Sequence, residues 1–556
     1  MTNQDQGKMS YLKFEPAWGT EPLPPIPDVP FFELLRRSAY LHPMKTALIS
    51  LGKEVSYHDL NEMADRFAAA LADLGVKKGD RVGVLLPNSA QHVIAFQGII
   101  RAGAISVPCN VMLKSEELIY ILNDAGVETV VCIDLLCPIV QMVQEKTKIK
   151  TLIAVHCRDI SAADGWIPPL LMGEKKTVPN TLDFAAILEK YPPQPPDVTI
   201  DPQEDLALMI YTAGTTGVPK GVMETHANMV FTCVNHAHTY GIDYNDMNLQ
   251  ILPMFHVGGY YLMLHPILYK GGTAIMMPMF DPAEFLKAID RYKANLLVGP
   301  PTLYVALVNH PDITRYDLKH FKSAVAAAAP VPIPLQERWK EITGIELNKG
   351  WGMTETNGGQ IVSLPNKRNL DSIGVPMSGE VKIVHKDSGE IVPRGEFGEI
   401  MIRSPQIAKG YWNKPEETEK TFEADGWLHT GDGGYISEDG FVYFVERIKE
   451  LIIASGYNIS PSEVESVIMK HSAVVEAAVI GIPHEYRGET VKAFVVLKDE
   501  AKGKVTADEI IEFCKQSMAT YKKPEIVAFI DALPKNSVGK VLRRVLRDQE
   551  AGHDAA

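Results

Sequence analysis

The stretch YTAGTTGVPKGV, residues 211–222, comes directly after the apolar run LALMI and sets the reading of the whole chain. An apolar run of this kind is a buried strand, and the loop at its end holds three glycines, three threonines and a single lysine. That composition suits a phosphate. Glycines let backbone N–H groups turn inward, threonines add hydroxyl donors, and the lysine brings a point charge. A surface turn uses many of the same residues, so the loop alone leaves both readings open and the rest of the chain has to decide between them.

Outward from this loop, short β-branched runs alternate with helical patterns. RVGVLLP (81–87), AISVP (104–108), TVVCI (129–133), TLIAV (151–155), TAIMMP (273–278) and NLLVGPP (295–301) read as buried strands. In HDLNEMADRFAAALADLG, Leu60, Met63, Phe67, Ala70 and Leu71 recur at helical spacing and Gly75 marks the end. The alternation predicts an α/β fold, with a large N-terminal domain of mostly parallel sheets and helices. PPQPPDVTIDPQ (192–203) is a polar, proline-rich connector into the strand that carries the opening loop. Between about 380 and 445 the pattern changes to period two with Gly and Asp-Ser-Gly turns, which predicts a β subdomain. The last stretch offers a helix at 461–470, strands at 474–482 and 491–497, and the helix ADEIIEFCKQSM. This is a small α+β domain of ordinary size.

With 556 residues the chain exceeds one small core and predicts two or more domains. Its 46% hydrophobic and 22% charged residues are those of a globular protein, and a net charge of −14 speaks against a nucleic-acid or anionic-membrane partner. The start, MTNQDQGKMSYLKFEPAWG, shows no apolar signal region, and no apolar stretch reaches the roughly 18 residues of a membrane span. Cys109, Cys132, Cys137, Cys157, Cys233 and Cys514 lack paired metal-ligand spacing, so reduced cysteines in a cytoplasmic protein are expected.

Four further stretches bear on the opening loop: ELNKGWGMTET (346–356), GWLHTGDGGYI (426–436), VERIKELIIASGYNISPSEVE (445–465) and LPKNSVGKVLRR (533–544). With YTAGTTGVPKGV they resemble, in order and approximate spacing, the core motifs of AMP-forming acyl-CoA synthetases. These belong to the adenylate-forming superfamily, with firefly luciferase and peptide-synthetase adenylation domains. The resemblance runs from about residue 30 to 548. It implies an acid–thiol ligase: ATP converts a carboxylic acid to an acyl-adenylate, and coenzyme A then displaces AMP. It also implies ATP, Mg²⁺ and coenzyme A as ligands, a domain of residues 1–448, and a mobile C-terminal domain of residues 449–556 hinged near Lys449. It allows a homodimer.

Carried over residue by residue, the resemblance puts Thr212, Ala213, Gly214, Thr215, Thr216, Gly217 and Lys220 around the β- and γ-phosphates. Trp351, where the family usually has tyrosine, stacks on the adenine, Asn348, Gly350, Gly352 and Met353 join the nucleotide-binding residues, Thr354 meets the α-phosphate, and Glu355 holds Mg²⁺. Asp432 takes the ribose hydroxyls with Arg447 nearby, and Lys540 bridges the attacking carboxylate and the α-phosphate. Ser455, Gly456 and Tyr457 line the coenzyme A tunnel. The acyl pocket comprises His256, Val257, Gly258, Pro301, Thr302, Ala326, Ala327, Ala328, Gly350 and Gly359. Each has a plainer reading on its own: Asp432 as a turn residue, Trp351 and His256 as core, Lys540 as a solvated lysine.

Three departures stand out. Ala213 replaces a usual serine or glycine, Val538 replaces a usual threonine or serine, and VAAAAPVP (325–332) carries alanines where the family has glycines. The expected substrate is a medium- or long-chain fatty acid or a cyclic or aromatic acid. Alternatives are amino-acid adenylation, luciferase-like oxygenation, and a nucleotide-binding protein without turnover. Peptide-synthetase domains usually have an aspartate where this chain has His256, and the retained Lys220, Glu355, Asp432 and Lys540 speak against mere binding.

Overall fold

The computed structural model describes residues 9–15, 22–163, 165–212, 218–364, 366–455, 457–535 and 541–553. They form two compact units, one of Lys13–Glu380 with Arg403–Leu428, the other of Met1–Leu12, Val381–Ile402 and His429–Ala556.

The first unit is built on two large sheets. In one, the strands Leu206–Thr212, Ile105–Pro108, Arg81–Leu85, Thr129–Ile133 and Thr151–Val155 run parallel in that order. Lys220–Thr225 is antiparallel to Leu206–Thr212 and sets Lys220 opposite Thr212, and the short strand Gly410–Tyr411 closes that edge. In the other, Leu347–Met353, Ser323–Ala327, Leu296–Gly299, Met247–Gln250, Thr273–Met276 and Thr46–Ser50 run parallel, with Gly358–Val362 added antiparallel to Leu347–Met353. Every run read as a buried strand is one. A parallel strand covered on both faces has little use for alternation, which is why these runs are apolar throughout.

Helices fill the space between the sheets. Ala90–Arg101 is buried on all sides, including His92, Gln97 and Arg101, and starts at Ser89, whose side chain accepts the His92 N–H. It crosses Tyr57–Asp73 so closely that a Cβ on Gly98 would stand 2.7 Å from Phe67. Arg101, with a fully buried side chain, is held by Asp65 at 2.7 Å. Phe67, Phe96, Ile99, Met229 and Val230 from this helical layer join Val82 and Val84 of one sheet and Leu296 and Val298 of the other in one apolar core.

In the second unit, the antiparallel strands Val474–His484 and Gly488–Leu497 anchor a small sheet. Its two faces separate by alternate residues. Ala477 and Val479 meet the helices Pro461–Ile468 and Ala507–Ser517 through Val464, Ile468, Ile510 and Cys514, whereas Ala478 and Ile480 meet Leu533 and Leu546. The strand Val442–Arg447 is tied to this sheet's helices. Glu446 accepts from the Ser462 backbone N–H at 3.0 Å and from its hydroxyl at 2.6 Å, and Arg543 lies 3.6 Å from Glu446 and 2.8 Å from Glu465. These bonds tie the strand Val442–Arg447 to the C-terminal residues within one compact unit.

Candidate active site

The strand Leu347–Met353 delivers the densest group of expected site residues. At its end the backbone of Gly352 runs so close to its neighbour that a Cβ would lie 1.8 Å from the Gly358 carbonyl oxygen, and the pairing with Gly358–Val362 shifts register here. Only glycine fits. The turn Thr354–Thr356 comes next, fixed by the Thr356 hydroxyl, which accepts the Met353 N–H at 2.9 Å and donates to the Gly358 carbonyl at 2.8 Å. Thr354 and Glu355 are buried. The Asn348 carboxamide oxygen accepts from Arg368 at 2.9 Å, so this side chain serves to hold an arginine.

Glu355 is set by a residue that sequence reasoning missed. The Tyr411 hydroxyl donates to its carboxylate at 2.7 Å, and the Ala408 N–H donates to its backbone carbonyl at 2.9 Å. Burial, then the Glu355 charge, push the Tyr411 phenol well above its ordinary pKa, so the proton stays on the tyrosine. The Lys220 ammonium stands 4.8 Å from the centroid of the same ring and pairs with Glu417. A charge over a ring face gains about 0.5–2 kcal/mol. Lys220, Tyr411 and Glu355 therefore form one group, although they come from three distant stretches. The signal for it was AKGYWNKPEET (408–418), where an aromatic and two acids surround a short strand.

Among the residues expected to bound the acyl group, His256 caps the short helix Val257–Tyr261, its Nδ1 accepting the Gly258 N–H at 3.1 Å. Burial lowers its pKa, which keeps the imidazole neutral. Val257 and Gly258 are buried. Along Ser323–Ala327 the side chains alternate. Val325 and Ala327 stand 3.6 and 4.0 Å from where a Cβ on Gly350 would be, whereas Ala326 faces the opposite way into the core around Trp339 and Leu303. Ala326 is thus set apart from the pocket residues with which the resemblance grouped it, because a strand's period of two sends neighbours to opposite faces. Ala328 is exposed, with a left-handed φ of +73°. Pro301 is buried at the start of the helix Pro301–Val308, and Thr302 is exposed. Gly359, paired with Gly352, faces the His236 imidazole.

In the smaller unit Asp432 and Arg447 are cross-strand partners, with Arg447 Nε 3.4 Å from the Asp432 carboxylate. The Thr430 hydroxyl accepts the Asp432 N–H at 3.1 Å. Lys449 sits in the turn Ile448–Glu450. Ser455 has φ +53° and donates its N–H to the Arg487 carbonyl at 2.8 Å, while Tyr457 stacks on Tyr521 with ring centroids 4.4 Å apart. Ala213, Gly214, Thr215, Thr216, Gly217, Gly456, Val538 and Lys540 lie outside the described residues.

Residues 35–412 match the family described as AMP-binding enzyme, and residues 463–540 match the AMP-binding enzyme C-terminal domain. A long-chain-fatty-acid–CoA ligase of Bacillus subtilis (strain 168) is 39% identical over 544 residues, 95% of each chain. A feruloyl-CoA synthase of Amycolatopsis is 33% identical over 513 residues, 92% of this chain and 97% of its own. Among solved structures, an anthranilate CoA ligase in complex with anthranoyl-AMP superposes with a TM-score of 0.83 at 28% identity, covering 96% of this chain and 99% of that one.

Proposed function

The chain belongs to the AMP-binding enzyme family, and on that footing we propose which of its residues serve each half of its reaction. It is an AMP-forming carboxylate–CoA ligase: a carboxylic acid is activated as the acyl-adenylate and passed to coenzyme A. The first half joins two anions, so neutralising charge and holding position are the main demands. Thr212, Lys220 and the loop 213–217 take the β- and γ-phosphates, and Thr354 takes the α-phosphate. The observation that carries this assignment is the junction of Lys220, Tyr411 and Glu355. Lys220 already has an anionic partner in Glu417. A phosphate that replaces that carboxylate exchanges one ion pair for another, and no buried charge is left uncompensated.

Glu355 is our choice for holding Mg²⁺. Its carboxylate offers oxygen, as a hard cation requires. Among the described residues no group of three or more His, Cys, Asp or Glu could hold a metal, so the remaining ligands are phosphate oxygens and water. When bound, the ion would neutralise phosphate charge.

Asp432 takes the ribose hydroxyls, with Arg447 paired to its carboxylate. Lys540 bridges the attacking carboxylate and the α-phosphate, and rotation about Lys449 then brings the segment of Ser455, Gly456 and Tyr457 to the thiol arm of coenzyme A. His256, Val257, Gly258, Ala327, Gly350 and Gly359 bound the acyl group, which we take to be a hydrophobic monocarboxylic acid of fatty or aromatic type. The names of the two relatives, a long-chain-fatty-acid ligase and a feruloyl-CoA synthase, span that range. We place the enzyme in the cytoplasm, supported by six free, buried cysteines.

The direct test is exchange of label between pyrophosphate and ATP, without coenzyme A, across fatty, cyclic, aromatic and amino acids. Exchange with hydrophobic acids and none with α-amino acids is expected. Exchange confined to amino acids overturns the assignment of the acyl group.

A further inference from the structure

The acyl side holds a histidine to which neither half of the ligase reaction gives a role. His236 lies on the helix His226–Thr239, fully buried. Its Nδ1 is 2.8 Å from the carbonyl oxygen of Thr232, one turn back. A carbonyl oxygen only accepts, so Nδ1 carries the proton and donates. Nε2 is then a bare acceptor, and it has no hydrogen-bond partner among the described residues. Burial lowers this imidazole to about 4 against the bond to Thr232, so it is neutral at pH 7 and the tautomer persists. Leaving a buried acceptor unmet costs about 1–3 kcal/mol, and such groups are rare in native cores.

Where Nε2 points is informative. It lies 3.3 Å from where a Cβ on Gly359 would be, and 4.0 Å from that position on Gly358. The Tyr240 hydroxyl approaches the same Gly359 position at 3.9 Å. The connection to the carboxylate end is short. One methyl of Leu262 is 3.5 Å from the Gly359 position, and its other methyl is 3.3 Å from the corresponding position on Gly258, where His256 Nδ1 stands at 3.4 Å. A single leucine side chain therefore spans from His256 to the neighbourhood of His236. Beside them Asn357, also fully buried, leaves both carboxamide atoms without partners among the described residues. An apolar wall ends in unmet polar atoms.

We propose that His236 is a specificity residue: its Nε2 accepts a hydrogen bond from a hydroxyl or N–H group carried by the acyl part of the substrate, away from the carboxylate. The preferred acid is then a hydroxylated or amino-bearing hydrophobic acid, not the plain hydrocarbon acid of equal length. This rests on the ligase reading and on the acyl group lying against Gly359. A site built to bond a hydroxyl rejects the analogue that lacks it far more strongly than an apolar pocket rejects a missing methylene, because the acceptor is left unpaired.

The test uses the full chain and exchange of label between pyrophosphate and ATP with matched acid pairs. These are hexanoate, octanoate and decanoate, each beside its ω-hydroxy counterpart, and cinnamate beside 4-hydroxycinnamate. At one matched length kcat/KM for the hydroxylated acid exceeds that of its plain partner by about tenfold or more. His236→Leu collapses that ratio toward one, and His236→Gln, which keeps an acceptor oxygen, retains part of it. Ratios within about twofold of one for every pair, with ready exchange on the plain acids, overturn the proposal and leave the ligase reading standing. A preference that survives His236→Leu overturns it too. Silence with every acid strikes the ligase reading itself, and this inference with it.

Discussion

The two sides of the large unit's site treat polar groups in opposite ways. On the side proposed for the phosphates, Lys220 has Glu417 and the Tyr411 ring, and Glu355 has the Tyr411 hydroxyl. On the acyl side the polar groups are neutral and partly unmet, with His236 lowered to about 4 by burial and Asn357 unpartnered among the described residues. The difference suits what each side is proposed to receive. A phosphate is a strong anion that competes for a cation already paired, so pairing in advance avoids a buried bare charge. An acyl group brings at most weak donors, so the only way to read one is to leave an acceptor waiting in an apolar wall.

The largest expected effect tests the charged side. Lys540→Ala lowers pyrophosphate–ATP exchange by about 10²–10³ while sparing thioester formation from supplied acyl-adenylate. Equal loss in both half-reactions removes Lys540 from the first step. Next comes Glu224, a fully buried acid that accepts from the Tyr261 hydroxyl and blurs the contrast. Burial pushes its carboxyl up to about 8, the Tyr261 hydroxyl opposes this, and the Glu355 charge adds to it. Against an ordinary 4.5, the folded chain then holds a proton between pH 4.5 and 8 that the unfolded chain has lost. Stability is therefore fully present below the lower value and declines as pH rises through the upper one. Glu224→Gln should melt with the parent at pH 5 and a few degrees above it at pH 8.5. A difference independent of pH places Glu224 with the ionised groups.

A smaller change is expected at the junction. Tyr411→Phe removes the donor to Glu355 but keeps the ring under Lys220, and a bond to a charged acceptor lost in this way costs about tenfold in kcat/KM for ATP. No change would detach Tyr411 from the phosphate side. The smallest effect concerns backbone strain. Ala328 holds φ +73° in the open, where its methyl packs against little, so Ala328→Gly should raise stability by about 0.5–1 kcal/mol in urea unfolding. A lowered midpoint would mean that the methyl has a role in the pocket wall.

Much of this was legible along the chain. The runs at 81–87, 129–133 and 151–155 are buried strands because both faces of a parallel sheet are covered, and an all-apolar run records that directly. The turn of Thr354 and Glu355 was visible because it lies within one short motif, and Asp432 and Arg447 because each falls in a motif of its own, although their pairing across two strands was not. Tyr411, Glu417 and His236 were not visible. Tyr411 acts on Glu355 from 56 residues away, and nothing local to AKGYW states which acid it will meet. His236 reads as one more residue of a buried helix until the position of Gly359 is known.

By itself, then, the order of residues determined the α/β class, since strand period is encoded within a few neighbours, and the ligase chemistry, since five motifs in order resemble those of a known family. The tertiary structure decided which distant groups meet. It turned Ala326 into the core and Ala327 toward Gly350, joined Lys220 to Glu355 through Tyr411, and set His236 Nε2 opposite Gly359. The physical reason is that hydrogen bonds and ion pairs depend on separations of about 3 Å in space, which sequence distance does not constrain.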